Sequence, residues 1–151
     1  MVPKVSVITL NWNGLQDTLE CVDSLLRDPY ENLEIVVVDN GSGGGDADAL
    51  CSRYGESVRV LRNQRNYGYA GGLICGMKDV LARGGDYILI VQNDMVIEPG
   101  MIALLCNAAS ADPGLAVVVP STMRYDDPER FDTSPELAKC LGLRTIKLSE
   151  V

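Results

Sequence analysis

Two kinds of segment alternate along the first 120 residues of the chain. Short apolar runs without polar/apolar alternation predict strands that are buried on both faces. These runs are residues 5–10, 33–38, 58–61, 87–91 and 115–119. Segments with helical spacing of apolar residues lie between them and predict helices over residues 15–27, 46–54, 73–81 and 99–109. Strands that alternate with helices indicate an α/β fold with right-handed βαβ units and a mainly parallel sheet.

The pattern weakens after Pro120. Residues 124–135 are polar, and only a short helix over 136–141 and a last strand over 144–148 are predicted beyond them. At 151 residues the default is one domain. We therefore expect a core over residues 1–120, with residues 121–151 as the start of a further region that the chain leaves unfinished.

Composition and charge exclude several classes of function. Hydrophobic residues make up 46% and charged residues 23% of the chain, which is ordinary for a globular protein. The absence of His excludes mechanisms that need an imidazole, such as Ser-His-Asp catalysis. A formal net charge of −8 argues against a nucleic-acid partner and a broad anionic-membrane face. It does not exclude a phosphorylated ligand, because a metal ion can supply the positive charge.

The cysteines and the amino terminus indicate a cellular compartment. Five cysteines are scattered without a CxxC pair, which is typical of free thiols in a reducing environment. The first ten residues lack the features of a signal peptide, and no stretch has the length of a membrane span. We therefore expect a cytoplasmic protein, with the inner face of the membrane as the site of any membrane association.

Polar and glycine-rich residues follow the predicted strands. In an open parallel sheet, ligands bind at the carboxyl ends of the strands, near the point where the strand order reverses. The two common nucleotide motifs are missing, because the turn after the first strand has a single glycine and no Gly-Lys-Ser/Thr sequence occurs. The ordinary dinucleotide and P-loop folds are therefore disfavoured.

Asp39 and Asp94 directly follow buried apolar runs. One carboxylate with phosphate oxygens can hold Mg²⁺ or Mn²⁺, and the other can accept a hydrogen bond from the imide N–H of a pyrimidine. The alternative is that each caps the next turn or helix. The Asn-rich loops beside both residues favour the binding site. Trp12 is either a stacking platform for a base or a core residue, and Arg65 either faces a diphosphate or is solvated.

Four stretches in order carry a resemblance to a known family. They are VSVITLNWNG at 5–14, EIVVVDNGS at 34–42, NYGYAGG at 66–72, and YILIVQND at 87–94 followed by EPG at 98–100. The chain resembles the nucleotide-sugar-binding half of a family 2 glycosyltransferase with the GT-A fold, and is similar to rhamnosyltransferase-like members. The resemblance implies a Rossmann-like α/β/α sandwich with a mainly parallel sheet.

The resemblance also implies roles for single residues. Leu10 and Trp12 would lie against the nucleoside base, and Asp39 would accept the imide N–H of that base. Asn66 and Gly68 would lie near the ribose and diphosphate. Backbone at the glycines of this loop, which are Gly68, Gly71 and Gly72, would approach the ligand closely.

The segment Gln92-Asn93-Asp94 matches the metal-binding DxD motif of the family. Asp94 would hold the metal, while Asn93 would belong to the nucleotide site together with Arg65, a charge partner of the diphosphate. The first position of the motif is Gln92 instead of an acid, so we expect weaker metal binding.

The implied reaction is inverting transfer of a sugar from a UDP- or dTDP-sugar to the hydroxyl of a saccharide or lipid-linked acceptor, in surface polysaccharide or glycolipid synthesis. No catalytic base can be assigned, because none of the acids after Pro120 lies in an acceptor-site motif. We expect a truncated chain, a degenerate gene or a member completed by a partner, and exposed apolar surface predicts self-association. The rivals are a non-catalytic nucleotide- or partner-binding module and a nucleotidyltransferase.

Overall fold

The first four predicted strands form one parallel sheet. In the computed structural model they are β1 (Val5–Asn11), β2 (Leu33–Asp39), β3 (Arg59–Arg62) and β4 (Tyr87–Val91), in the order β3-β2-β1-β4. The register pairs Val5 with Leu33 and Asn11 with Asp39, so β1 and β2 start and end together. Both strands extend one residue beyond their apolar runs, and this extension brings Asn11 and Asp39 into the sheet.

The structure describes residues 1–112, 114, 116–127, 130–133 and 145–146. They belong to two compact units, Met1–Pro99 and Gly100–Val151. The first unit contains the sheet together with helices α1 (Leu15–Leu25), α2 (Asp46–Tyr54) and α3 (Gly68–Arg83), and a 3₁₀ turn at Gly55–Ser57.

Helices cover both faces of the sheet, as the uninterrupted apolar runs predict. On one face Ile8, Val36 and Val38 pack against Leu73 and Val80 of α3. Successive strand residues point to opposite faces, so buried residues such as Val37 face the other side, where α1 and α2 pack against the strands. Burial of each such side chain contributes about 1.5–3 kcal/mol. The predicted α/β architecture with a parallel sheet is confirmed for this unit.

Helix α3 begins five residues before its predicted start at residue 73, because its glycines serve the packing of the helix on the sheet. A Cβ on Gly72 would lie 2.4 Å from Leu10 Cδ1, and one on Gly76 would lie 2.8 Å from Ile8 Cγ2. The glycines therefore let the helix approach β1 more closely than side chains would allow. Leu10 thus occupies the space beside Gly72, and a Cβ on Gly71 would meet Tyr67 Cβ at 2.8 Å. The close approach of this backbone to a ligand stays a prediction.

An ion-pair network joins the amino ends of the strands to the end of α3. Glu34 in β2 accepts hydrogen bonds from Lys4 and Arg83, and Asp79 in α3 pairs with Arg83 at 2.7 Å and with Arg59 at 2.8 Å. Burial opposes ionisation of Glu34, but hydrogen bonds from its neighbours outweigh burial and lower the pKa of this carboxyl. The Arg59 hydrogen bond lowers the pKa of Asp79. We call this network the amino-edge network.

The second unit contains one helix and short strand pairs in its described part. Helix α4 (Met101–Ala111) begins after Gly100 instead of at residue 99 as predicted. Strand β5 (Val119–Pro120) pairs in parallel with β8 (Thr145–Ile146), and β6 (Thr122–Met123) pairs antiparallel with β7 (Phe131–Thr133).

One prediction for this unit needs correction, and another concerns residues that the structure does not describe. Of the strand predicted over 115–119, residue 119 belongs to β5 together with Pro120, residues 116–118 form no ladder, and residue 115 lies outside the described residues. The strand predicted over 144–148 contains β8. The helix predicted over 136–141 falls outside the described residues.

Two further features concern the whole described part of the chain. Cys21, Cys51, Cys75 and Cys106 are free thiols, as predicted, and Cys140 is outside the described residues. Among the helices described, none combines the length and the apolar character needed to cross a membrane.

Candidate functional site

The carboxyl ends of the four parallel strands meet at one edge of the first unit. The strand order places β2 on one side of β1 and β4 on the other, so the order reverses between β1 and β4. Ligands of open α/β sheets bind at this reversal point. We use the term carboxyl edge for residues 10–14, 39–46, 63–69 and 92–95. All eight site residues predicted from the sequence lie in these segments.

Two buried carboxylates share one amide group at the centre of the carboxyl edge. Nδ2 of Asn11 donates to Asp39 Oδ1 at 2.8 Å and to Asp46 Oδ2 at 3.0 Å, and lies 3.2 Å from Ser42 Oγ. Asp39 is 4% exposed, Asp46 is 7% exposed and Asn11 is fully buried. Burial of a carboxylate is costly unless it is hydrogen-bonded, so Asn11 is the residue that makes this pair of charges tolerable.

The Asp39 carboxylate retains acceptor capacity. An ionised carboxylate has about four lone-pair positions. One oxygen of Asp39 accepts from Asn11, and the other accepts from the Ser42 backbone N–H at 3.3 Å. The remaining lone pairs can accept an N–H group that enters the edge from solvent.

Asn40 connects the loop after β2 to the loop after β3. Its Nδ2 donates to Asn66 Oδ1 at 3.0 Å and to the Gly68 carbonyl at 3.1 Å. Its Oδ1 accepts from Asn63 Nδ2 at 2.9 Å and from the Tyr67 backbone N–H at 3.2 Å. All donor and acceptor positions of this buried amide are used. Asn66 and Gly68, which the sequence predicts as site residues, are thereby fixed beside Asp39.

Gly41 lets these two loops pass each other closely. Its φ of +78° lies in the left-handed region, and a Cβ there would lie 2.5 Å from the carbonyl carbon of Arg65. No L residue with a side chain fits both conditions. The backbone of residue 65 is therefore placed next to the end of β2.

Exposed aromatic side chains surround this part of the edge. Trp12 is 55% exposed, which excludes the core role left open by the sequence. Tyr67 and Tyr69 are also exposed, and the Arg65 guanidinium lies over the Tyr67 ring at 5.2 Å. Leu10 is half-buried and packs against the core on the α3 side. The edge therefore offers an aromatic surface and a cation next to the start of a helix.

The turn after β4 carries Asp94. The Met95 N–H donates to the Gln92 carbonyl at 3.2 Å, and Asn93 Nδ2 donates to Thr18 Oγ1 at 3.0 Å. Asp94 is exposed, and within the described part of the chain no group donates a hydrogen bond to its carboxylate. Asn93 is thus directed toward α1, while Asp94 faces solvent.

The residues at this turn fit a metal only if the ligand contributes donors. Within the described residues no cluster of three or more His, Cys, Asp or Glu side chains could hold an ion alone. Mg²⁺ and similar ions are commonly held by one or two carboxylates together with substrate phosphates, and the exposed Asp94 carboxylate fits that arrangement. Burial, with a smaller contribution from Asp94, raises the pKa of the Cys21 thiol to about 11, so this thiol is protonated at neutral pH.

Sequence reasoning missed four residues that hold the edge together: Asn11, Thr18, Asn40 and Asp46. Asn11 and Asn40 carried a usable signal, because each is a polar residue directly beside a buried strand end. Thr18 and Asp46 lie in predicted helices, and nothing local distinguishes them from ordinary helix residues.

The chain matches the family model "Glycosyl transferase family 2" over residues 6–149. The glycosyltransferase GlyG of Streptococcus pneumoniae is 29% identical over 126 residues, which cover 82% of this chain and 40% of that protein. This chain therefore spans less than half the length of that relative.

Solved structures with the same fold include two nucleotide-sugar complexes. The mannosyltransferase PcManGT of Pyrobaculum calidifontis, with GDP-Man and Mn²⁺, superimposes with a TM-score of 0.72 at 22% identity and covers 85% of this chain and 38% of its own. Staphylococcus aureus TarS with UDP-GlcNAc gives a TM-score of 0.69 at 21% identity, over 80% of this chain and 34% of its own. The fold predicted from the sequence, the GT-A fold, is confirmed.

Proposed function

Because the chain belongs to glycosyl transferase family 2, we propose that its carboxyl edge binds a nucleotide-diphosphate sugar together with a divalent cation. The proposed reaction is inverting transfer of the sugar to an acceptor hydroxyl, in the synthesis of a surface polysaccharide or glycolipid. Residues 1–120 would form the donor half, and residues 121–151 would begin the acceptor side. The donor is a UDP- or dTDP-sugar, and the acceptor is a saccharide or a lipid-linked saccharide.

One observation carries this proposal. Asp39 and Asp94 lie on opposite sides of β1, at the ends of β2 and β4, and differ in their surroundings. Asp39 is buried and held by Asn11, whereas Asp94 is exposed and receives no hydrogen bond from the described residues. A buried, oriented acceptor suits recognition of a base, and an exposed, uncommitted carboxylate suits a cation shared with phosphates.

The other residues of the edge fit a nucleotide that lies between these two carboxylates. The exposed ring of Trp12 and the half-buried Leu10 provide an apolar surface for the base. Asn66 and Gly68 lie at the start of α3, where the helix dipole favours a diphosphate. Arg65 supplies a positive side chain beside them, and Asn93 borders the same space from the β4 side.

The chemistry assigned to the residues is limited to binding and orientation. Asp94 would hold Mg²⁺ or Mn²⁺, which when bound neutralises charge on the leaving nucleoside diphosphate. The Asp39 carboxylate accepts the imide N–H of uracil or thymine and so orients the base. The loop at residues 66–68 would pass beside the diphosphate. The base that deprotonates the acceptor hydroxyl stays unassigned, because no acid among the described residues after Pro120 has surroundings that mark it for that role.

The preference for a pyrimidine is a proposal about Asp39. TarS was solved with UDP-GlcNAc and PcManGT with GDP-Man, so the fold accommodates both base types. Guanine also presents N–H donors, and the choice therefore depends on where the carboxylate meets the base. Asp39→Asn keeps the shape but exchanges a charged acceptor for a neutral one. We expect it to weaken UDP binding about 10- to 100-fold, whereas an equal loss for UDP and GDP would contradict recognition of the base by Asp39.

Calorimetric titration tests the proposal as a whole. UDP, dTDP and GDP are titrated into the protein with Mn²⁺ and, separately, with EDTA. We expect UDP or dTDP to bind more tightly with Mn²⁺. Asp94→Asn should abolish the effect of the metal and leave the fold intact, and Glu31→Gln, at an exposed carboxylate before β2, is the matched control.

Two outcomes would overturn the proposal. Failure of a folded sample to bind any of the nucleotides would leave the family membership without the proposed ligand. Unchanged metal dependence in Asp94→Asn would remove the metal role of that residue. Binding without transfer to any acceptor would instead favour the non-catalytic binding module.

A further inference from the structure

A continuous chain of hydrogen bonds crosses the carboxyl edge beneath the proposed nucleotide. Asn93 Nδ2 donates to Thr18 Oγ1 at 3.0 Å, and Thr18 Oγ1 donates to Asn11 Oδ1 at 2.8 Å. Asn11 Nδ2 then donates to Asp39 Oδ1 at 2.8 Å. The chain begins in the turn that contains Asp94 and ends on the carboxylate proposed to contact the base.

The direction of each bond is determined by chemistry. Asn11 must present Nδ2 to Asp39 and Asp46, because the flipped amide would place its oxygen against two carboxylates. Its Oδ1 therefore faces Thr18 and accepts the hydroxyl proton, since the Gly14 carbonyl, the other acceptor in reach of that hydroxyl, already accepts the Thr18 backbone N–H. The lone pairs of that hydroxyl then remain for the Asn93 amide.

Thr18 is the branch point of this chain. It is fully buried in the first turns of α1, and its hydroxyl also lies 3.0 Å from the Gly14 carbonyl. Gly14 leaves room for the contact, since a Cβ there would lie 3.0 Å from Asn93 Nδ2. If Thr18 lacked its hydroxyl, the turn after β4 and the amide of Asn11 would lose their only described side-chain connection.

We propose that Thr18 is a positioning residue that couples the base pocket at Asp39 to the metal-bearing turn at Asp94. This inference rests on the proposed function, because it needs a nucleotide at Asp39 and a cation at Asp94. With a cation held by Asp94, the turn and Asn93 would be ordered, and the chain through Thr18 and Asn11 would orient the Asp39 carboxylate. Coupling of this kind is reciprocal, so a correct base also favours the metal.

The coupling predicts that the metal changes base selectivity as well as affinity. The contact between cation and diphosphate is common to UDP and GDP, and it cancels in the ratio of their dissociation constants. Selectivity for the base is the dissociation constant of GDP divided by that of UDP. The effect of the metal on selectivity is this ratio with Mn²⁺ divided by the same ratio with EDTA. We call it the coupling ratio, and for the wild type we expect about fivefold or more.

Variants at Thr18 separate the hydroxyl from the packing of the side chain. Thr18→Val keeps the volume and removes the hydroxyl, and should bring the coupling ratio to about one. Thr18→Ser keeps the hydroxyl and should retain the wild-type ratio. Ser6→Ala removes another fully buried hydroxyl, which lies in β1 and donates to Glu34 Oε2 at 3.1 Å at the opposite edge of the sheet. It should lower stability without changing the ratio.

Asn93→Ala breaks the same chain of hydrogen bonds at its other end. It replaces Thr18→Val as the test if Thr18→Val does not fold. It should also give a ratio of about one, and the double variant Thr18→Val/Asn93→Ala should add no further loss, because both changes interrupt one connection. Thermal unfolding of every variant is recorded alongside.

The outcomes are distinct. A wild-type coupling ratio of one, with metal-dependent UDP binding intact, would overturn the coupling and leave the proposed function standing. A Thr18→Val ratio equal to that of wild type, or loss of the ratio in Thr18→Ser or Ser6→Ala, would show that the Thr18 hydroxyl is not the connecting group. Absence of nucleotide binding in the folded wild type would overturn the proposed function and this inference together.

Discussion

Replacement of Asn11 by alanine should be among the most damaging single changes in the first unit. Asn11→Ala removes the one amide that donates to both Asp39 and Asp46, and it removes the acceptor of the Thr18 hydroxyl. Neither carboxylate can move into solvent, because both are more than 90% buried at the ends of β2 and the start of α2. Two buried charges would therefore lose a hydrogen-bond donor at once.

The expected magnitude follows from these contacts. A hydrogen bond to a charged group contributes about 1.5–3 kcal/mol, so the two carboxylate contacts of Asn11 represent about 3–6 kcal/mol. A domain of this size is stable by about 5–15 kcal/mol. We therefore expect the free energy of unfolding to fall by about a fifth or more, and a sample near the lower limit of stability to unfold.

Urea denaturation followed by far-ultraviolet circular dichroism measures the effect. Asn32→Ala is the matched control, since the exposed Asn32 amide also bonds across the unit, to the Val2 carbonyl at 3.0 Å. The control should lose less than about 1 kcal/mol. A double-mutant cycle with Asp39→Ala should give a coupling energy of about 1–3 kcal/mol between Asn11 and Asp39. A loss in Asn11→Ala no greater than in the control would refute the reasoning.

Three further predictions concern acid, glycine and thiol chemistry. The pKa values of Glu34 and Asp79 are lowered in the folded protein. The amino-edge network therefore contributes its full stability above the ordinary carboxyl pKa values of 4.5 and 3.8. This contribution is lost as the pH falls through the pKa values of the folded state. The urea concentration at the midpoint of unfolding should therefore fall as the solution is acidified, and it should fall less steeply with pH in Glu34→Gln. An equal dependence on pH in the variant and the wild type would contradict this. Gly41→Ala should lower the free energy of unfolding in urea by about 2 kcal/mol or more. Gly43→Ala should leave it nearly unchanged, because no atom lies within 4 Å of a Cβ at that position. Similar losses in the two variants would refute the close approach of the loops. Iodoacetamide should alkylate Cys21, whose pKa is about 11, at least about 100-fold more slowly than the partly exposed thiols. Mass spectrometry measures the rate of alkylation at each cysteine. Comparable rates would contradict the burial of Cys21.

The fold of the first unit could be predicted because its signals are local. The apolar runs of β1, β2 and β4 and the amphipathic spacing of α1 and α2 each identify an element without knowledge of the rest. Helix α2 and strand β4 match their predicted bounds of 46–54 and 87–91. Helix α1 ends at Leu25, two residues before its predicted end at 27.

Helix α3 shows where local signals fail. Four glycines between residues 68 and 76 lower helix propensity and predict a loop, yet the segment is helical. Two of them, Gly72 and Gly76, are required by contacts with Leu10 and Ile8 on another element. A tertiary requirement of this kind outweighs propensity and cannot be inferred from neighbouring residues in the sequence.

The same distinction applies to the site. Asp39 and Asp94 could be identified because a charged residue directly after a buried run is unusual. The residues that hold them were not identifiable in that way. Asn40 gains its importance from contacts with residues 23 to 28 positions away, and Thr18 from a contact 75 positions away. Such partners become visible only when the strands are placed side by side.

The two edges of the sheet are held by different kinds of bond. The amino-edge network consists of ion pairs between partly exposed charges, which dissolved salt screens. The carboxyl edge is cross-linked by the side-chain amides of Asn11, Asn13, Asn40, Asn63, Asn66 and Asn93, and amides neither titrate nor attract counterions. Ionic strength therefore acts more strongly on the edge remote from the ligand than on the buried amide frame of the ligand site. A buffer can thus be chosen to adjust the stability of the molecule without reshaping the place where the nucleotide would lie.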